Sequence, residues 1–196
     1  SDWSMKKIHR IILTSETWKR TASNLHADPK TIKTDKNNQY YWRMNSRRME
    51  SQVIRDSLLH IAGKLDLKMG GPSINPSPDS TRRALYFLHS RDQQSKFLAT
   101  FDDAEILACY ERTESIVPQQ ALALSNAKLP IQISESLGKK GPKEDTAFIN
   151  ELFQKILCRM PTDEELHECL QFLNKMPKRD RLAHALLTHN DFLTIR

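Results

Sequence analysis

Six polar residues between Arg43 and Asp56 carry the strongest hint of chemistry in this chain: Arg43, Arg47, Arg48, Glu50, Arg55 and Asp56. Two arginines beside a carboxylate can build an anion site, because a guanidinium grips carboxylate, sulfate or phosphate with two parallel hydrogen bonds. Arg82 follows later, next to Arg83, and is the natural fifth cation for such a site. On a helix, Arg47 and Glu50 are three apart and Asp56 and His60 four apart, so each pair would share a face. The same residues can instead tie a helix to neighbouring loops through salt bridges, and structural pairing is the more common use of such a cluster.

Other reaction types find less support. His184 and His189 are five apart, which misaligns them on one helix face. His167-Glu168-Cys169 is consecutive, so its side chains fan outward, and neither His-Glu-x-x-His nor Cys-x-x-Cys-His occurs. No metal and no cofactor is therefore expected. A Gly-x-Ser-x-Gly elbow is absent, and nothing in the sequence around Cys109 activates it. Gly70-Gly71-Pro72 lacks the strand, lysine and helix of a phosphate loop and reads as a turn. Gln119, Gln120 and Asn126 are amides in an otherwise apolar helix, where a side-chain amide usually fixes a neighbouring loop. Thr162 and Glu165 have the spacing of a helix-capping box and are assigned the same structural role.

These residues must be positioned by helices. Trp3, Ile8, Ile11 and Ile12 recur at helical spacing with Lys6, Lys7 and Arg10 opposite. Ser15 would cap a second short helix through Trp18, 23–38 reads as a loop, and another helix runs through Tyr40–Met44. From a cap at Ser46 the longest helix would bury Met49, Val53, Leu58, Ile61 and Leu65 and stop near Gly63. Residues 68–81 form an irregular loop, after which Tyr86–Leu88 could pair with 110–117 as a small ribbon. Pro118 opens a helical stretch that closes at Gly138 and Gly141-Pro142. Phe148, Leu152, Ile156 and Leu157 form one further helical face. The Thr162 box starts a helix that Met176-Pro177 ends, and Leu182, Ala185, Leu186 and Phe192 mark a last one. The expectation is a mainly α, multi-helix domain with an antiparallel three-helix section at its C-terminal end and at most one two-stranded β ribbon. It is read as one domain over 1–196: a basic helical section 1–67, an irregular section 68–117 and a helical section 118–196.

Composition fits that picture. At 196 residues, with 5 Gly and 9 Pro, the chain can bury its own core without a staple. No run approaches the roughly 20 apolar residues needed to cross a bilayer. The chain begins with Ser and has no basic-then-apolar leader, which reads as a piece of something longer and leaves the compartment open. Net charge is +6, and residues 1–60 hold 12 Lys and Arg against 6 Asp and Glu, while the rest hold 18 against 18. The excess sits in the first third, where it can attract an acidic partner or an anionic polymer. Trp18, Tyr40, Tyr41 and Trp42 among those cations raise nucleic-acid binding as well, although no recognised motif supports it. Cys109, Cys158 and Cys169 read as small buried hydrophobes.

Several phrases in one order resemble a known family. They are Trp3–Arg10 running to Thr14-Ser15, Tyr41–Asn45 into Arg47–Glu50, Gly70-Gly71-Pro72, Arg82-Arg83-x-Leu85-Tyr86, Leu98–Asp102, Val117–Asn126 and Leu157–Leu166. Together they resemble the planctomycete-specific C-terminal domain numbered fifteen-fifty-three among domains of unknown function. The chain departs from that pattern at Cys109-Tyr110-Glu111-Arg112, where the family tends to place paired arginines after the cysteine, and at Ser125, usually apolar. The resemblance implies an exported or periplasmic protein and a larger parent chain that often carries cytochrome-c-like domains. It supplies no catalytic residues. The functional expectation is an interaction module that binds a partner domain or an anionic ligand through its basic first third. The rival is an enzyme subdomain acting on polysaccharide, with Arg47, Glu50 and Arg82 around a cleft, and nucleic-acid binding comes third.

Overall fold

The computed structural model describes residues 3–24, 27–108 and 115–195. The chain is mainly helical, with ten α-helices and one two-stranded antiparallel sheet among the described residues. It divides into two compact units, one of residues 1–48 with 194–196 and one of residues 49–193.

The first unit holds α1 (Met5–Thr14), α2 (Pro29–Thr34) and a ribbon of β1 (Arg47–Arg48) with β2 (Thr194–Ile195). In that ribbon Arg47 faces Ile195 and Arg48 faces Thr194. The expected ribbon between 86–88 and 110–117 is not what forms the sheet. Tyr86 closes a 3-10 turn (Ala84–Tyr86), Phe87 makes an isolated parallel bridge with Ile74, and 110–114 lie outside the described residues.

Local side-chain hydrogen bonds overrode helix periodicity in this unit. Ser15 accepts from Trp18 N–H at 3.2 Å, but only a turn follows. Residues 23–38 do contain a helix: the Asp28 carboxylate accepts from Lys30 N–H at 2.9 Å and Pro29 occupies the first turn of α2. Residues 40–44 form no helix. The buried Asp35 carboxylate takes the N–H groups of Gln39 (2.8 Å) and Tyr40 (2.9 Å). Asn38, also buried, donates to Arg43 O and accepts from Arg43 N–H, while Tyr41 sits at φ 52°. Short polar side chains here offer the backbone a better partner than the helix ladder.

The second unit is built on an apolar core. α3 (Ser51–Ile61) buries Ser51, Ile54, Arg55, Leu58 and Leu59; Leu58 faces in and Met49 and Ile61 pack against the core as expected, but Val53 faces out. Glu50, not Ser46, occupies its N-cap position, and Gly63 at φ 66° stands just past its end. After the 3-10 turn come α4 (Lys96–Thr100), α5 (Pro118–Asn126) and α6 (Lys128–Lys140). The stretch opened by Pro118 breaks at Ala127, whose backbone is extended. Pro130 explains the break: inside one continuous helix its ring would meet the carbonyl four residues back, whereas in a first turn it costs little. Gly138 lies inside α6 rather than ending it. A Cβ there would stand 2.7 Å from Asp180 N, so only glycine lets α6 approach the start of α9 this closely.

The remaining helices are α7 (Asp145–Leu157), α8 (Asp163–Lys175), α9 (Arg179–Leu187) and α10 (Asn190–Leu193). Pairing of α6 with α9 is the most extensive in the unit, and Ile54, Leu58, Leu124, Ile133, Phe148, Ile149 and Leu187 form the centre of the core. Ala183 and Leu187, rather than Ala185, face inward from α9, and Phe192 belongs to the separate turn α10.

Candidate functional site

The polar motif residues divide between the two units. Arg43, Arg47 and Arg48 lie in the first. Arg43 stacks on Trp42 at 5.4 Å, and its guanidinium donates to Met44 O at 3.4 Å. Arg47 is exposed and Arg48 half-buried in β1. Glu50 and Arg82 lie in the second unit, so Arg47 and Glu50 do not share a helix.

Within the second unit, arginines act as struts to backbone carbonyls of the loops beside them, and Arg55 is the buried one. Arg55, only 3 % exposed, donates to Asp56 Oδ1 (3.0 Å), Arg82 O (3.0 Å) and Ser80 O and stacks on Phe87 at 4.5 Å. Burial pulls its pKa down, and the neighbouring Asp56 carboxylate opposes that. Asp56 in turn accepts from Ala84 N–H at 2.9 Å and faces Arg83 at 3.9 Å. The Arg82 guanidinium donates to Gly70 O and lies 4.0 Å over the Tyr86 ring, whose hydroxyl takes Gly70 N–H at 2.7 Å. Arg179 repeats the pattern on Pro142 O, Lys143 O and Asp145, stacked on Phe148.

Thr162 and Glu165 form a capping box, with Thr162 Oγ1 accepting from Glu165 N–H and Glu165 Oε2 accepting from Thr162 N–H. Arg159 adds a two-pronged pair to Glu165 at 2.6 and 2.7 Å and reaches Asp191 at 3.4 Å. Those bonds raise the Arg159 pKa and hold Glu165 at about 2. Gln120, 1 % exposed, donates to Asp102 and to Ser115, and Asp102 also accepts from Ser115 N–H (2.8 Å) and Oγ (2.7 Å). Gln119, Ser125 and Asn126 are exposed.

Cys158 is exposed at the left-handed end of α7, which corrects the expectation that it is buried; its position past the last helical turn leaves it no core to enter. Cys169 is half-buried, and desolvation pushes its thiol pKa up, with Glu165 and Glu168 adding to it. Cys109 to Arg112 lie outside the described residues. No three His, Cys, Asp or Glu among the described residues stand together as a metal site would require, and no described helix is long and apolar enough to cross a membrane.

The site that sequence reasoning missed is a cleft of about 360 Å³ at the start of α3. It is lined by Glu50 and Gln52, by Leu85, Phe87, Leu88 and His89, by Gln93, Gln94, Ser95 and Leu98 around the start of α4, and by Asp103. Asp103 organises it: Oδ1 accepts from Gln52 Nε2, Ser51 Oγ (3.4 Å) and Ala104 N–H (2.9 Å), and Oδ2 faces His89 Nδ1 at 3.9 Å. No local spacing links Gln52, His89 and Asp103, so only folding brings them together. Of the expected cluster, Glu50 lines this cleft and Arg82 does not.

A profile of the family described as "PSD1: Protein of unknown function (DUF1553)" matches residues 1–173. No curated protein and no solved structure gives a significant match.

Proposed function

We propose that this chain, which belongs to the PSD1 family of proteins of unknown function (DUF1553), is a non-catalytic interaction module of a larger exported protein. Its first unit is the binding surface, and the partner is an acidic domain of the parent protein or a related anionic ligand. The observation that carries this reading is α1, a strongly amphipathic helix that buries none of its residues. Met5, Ile11, Ile12 and Leu13 are all exposed, and Lys6, Lys7 and Arg10 line the other side. An apolar stripe flanked by cations is what a groove with an acidic rim would bind. Tyr40 and Tyr41, 82 % and 62 % exposed, extend the same unit's surface.

The rival, a subdomain acting on polysaccharide around Arg47, Glu50 and Arg82, is less well supported. Glu50 does line a cleft, but the Arg82 guanidinium is taken up by Gly70 and Tyr86.

Biolayer interferometry of the whole chain against each other domain of its parent tests the proposal. Binding to one of them is expected, with Ile11→Glu and Ile12→Glu together weakening it about tenfold or more. The melting temperature should stay unchanged, since neither residue is buried. Finding no contact with any domain overturns the proposal. Equal binding of a single-stranded oligonucleotide with a steep salt dependence would place nucleic acid first instead.

A further inference from the structure

The geometry points to the cleft at the start of α3 as a binding site for an uncharged polyhydroxylated ligand, one or two saccharide rings in size. This inference concerns the second unit and is independent of the proposed binding surface on the first.

Charge narrows the ligand class. The chain carries 30 Lys and Arg, yet none is among the residues that line this cleft, so an anion finds no guanidinium or ammonium there. A metal ion is disfavoured as well. Of the two carboxylates that line the cleft, Asp103 already accepts from Gln52, Ser51 and Ala104, and no three His, Cys, Asp or Glu among the described residues stand together for a metal; Glu50 adds a carboxylate that accepts from hydroxyls. The other polar residues of the walls offer neutral hydrogen bonding. Gln93 and Gln94 are exposed at the rim, and each primary amide presents a donor and an acceptor side by side. Vicinal hydroxyls have the same dual character, and such pairs can be matched by amides without a desolvated charge.

Shape and polarity agree with this. Leu85 and Leu88 keep apolar surface open at the mouth while Leu98 is buried behind it, giving a wall for the C–H face of a ring. Two of the polar groups, Gln52 and Ser95, are held in place before a ligand arrives. Asp103 fixes the Gln52 amide, and Ser95 caps α4 by accepting from Leu98 N–H. A preorganised wall lowers the ordering cost of a weak ligand.

The side-chain amide signals of Gln52, Gln93 and Gln94 in the nitrogen-15 spectrum of the whole chain read the site directly. Titration with cellobiose, maltose and N,N′-diacetylchitobiose to about 20 mM covers the millimolar affinity expected of a few neutral hydrogen bonds. At least one of these is expected to shift all three amides. Gln93→Ala with Gln94→Ala should then weaken it about fivefold, the loss of one or two neutral hydrogen bonds. Both residues are exposed, so an unchanged backbone spectrum verifies the fold. Three results overturn the inference: no saccharide shifts the amides, the double variant binds as tightly as the parent chain, or 1,5-diaminopentane or inorganic phosphate produces the shifts in place of a sugar.

Discussion

The two units of this chain are held together by different means. The first carries 12 Lys and Arg against 4 Asp and Glu, and neither of its helices has a buried residue. Asp35 and Asn38, two buried polar side chains that each bind two backbone groups, order it locally. The second unit carries 18 Lys and Arg against 20 Asp and Glu and is built around Phe148, Ile149, Leu58 and Leu124, each at 1 % exposure or less. The difference teaches where each part can change. Hydrogen-bonded turns fix a local shape but leave apolar and cationic surface unburied, which is what a binding face requires. A packed core fixes distant segments relative to one another, and that is what a cleft such as the one around Asp103 requires.

Removing core volume should have the largest effect. Phe148→Ala is expected to cost about 3–5 kcal/mol, visible as a large fall in the denaturant midpoint, because α7 loses the bulkiest of the fully buried side chains among the described residues. A loss under about 1 kcal/mol would mean that the second unit does not depend on its core as described.

Next in size is Asp35→Ala, which strands the N–H groups of Gln39 and Tyr40. About 1–3 kcal/mol is expected, confined to the first unit: hydrogen exchange should quicken at residues 38–45 while Ile149 and Leu152 keep their protection. Equal loss of protection in both places would break the distinction between the units.

Acid should have the smallest effect. The folded pKa of Glu165 is depressed to about 2, so its stabilisation is present above the unfolded value and fades as pH falls from about 4.3 towards 2. With a third of its side chain exposed, screening reduces the effect, and Glu165→Gln should cost about 1 kcal/mol at pH 7. The same substitution should cost almost nothing at pH 2. A penalty independent of pH would show that shape, not charge, ties Arg159 to α8.

Features that depend on neighbours in sequence were legible before folding was considered. The Thr162–Glu165 box, Pro118 at a first turn, Gly63 past the end of α3 and the stop at Met176 are set by backbone groups within four residues. Where the reading failed, a local competitor or a distant partner intervened. A helix is expected at Tyr40–Met44, but Asn38 claimed the Arg43 N–H that its first turn needed, and Tyr41 took a left-handed φ. Arg55, Arg82 and Arg179 could not be told from ligand-binding arginines by spacing, because their acceptors are carbonyls at Ser80, Gly70 and Pro142.

By itself, then, the sequence determined a helical chain, several of its helix ends and a basic first section, since caps, proline and charge act over one turn or through composition. Only the tertiary structure decided that β1 pairs with Thr194–Ile195, that the arginines brace loops, and that Gln52, His89 and Asp103 meet in one cleft. Those depend on contacts between segments far apart in the chain, whose pairing no local spacing encodes.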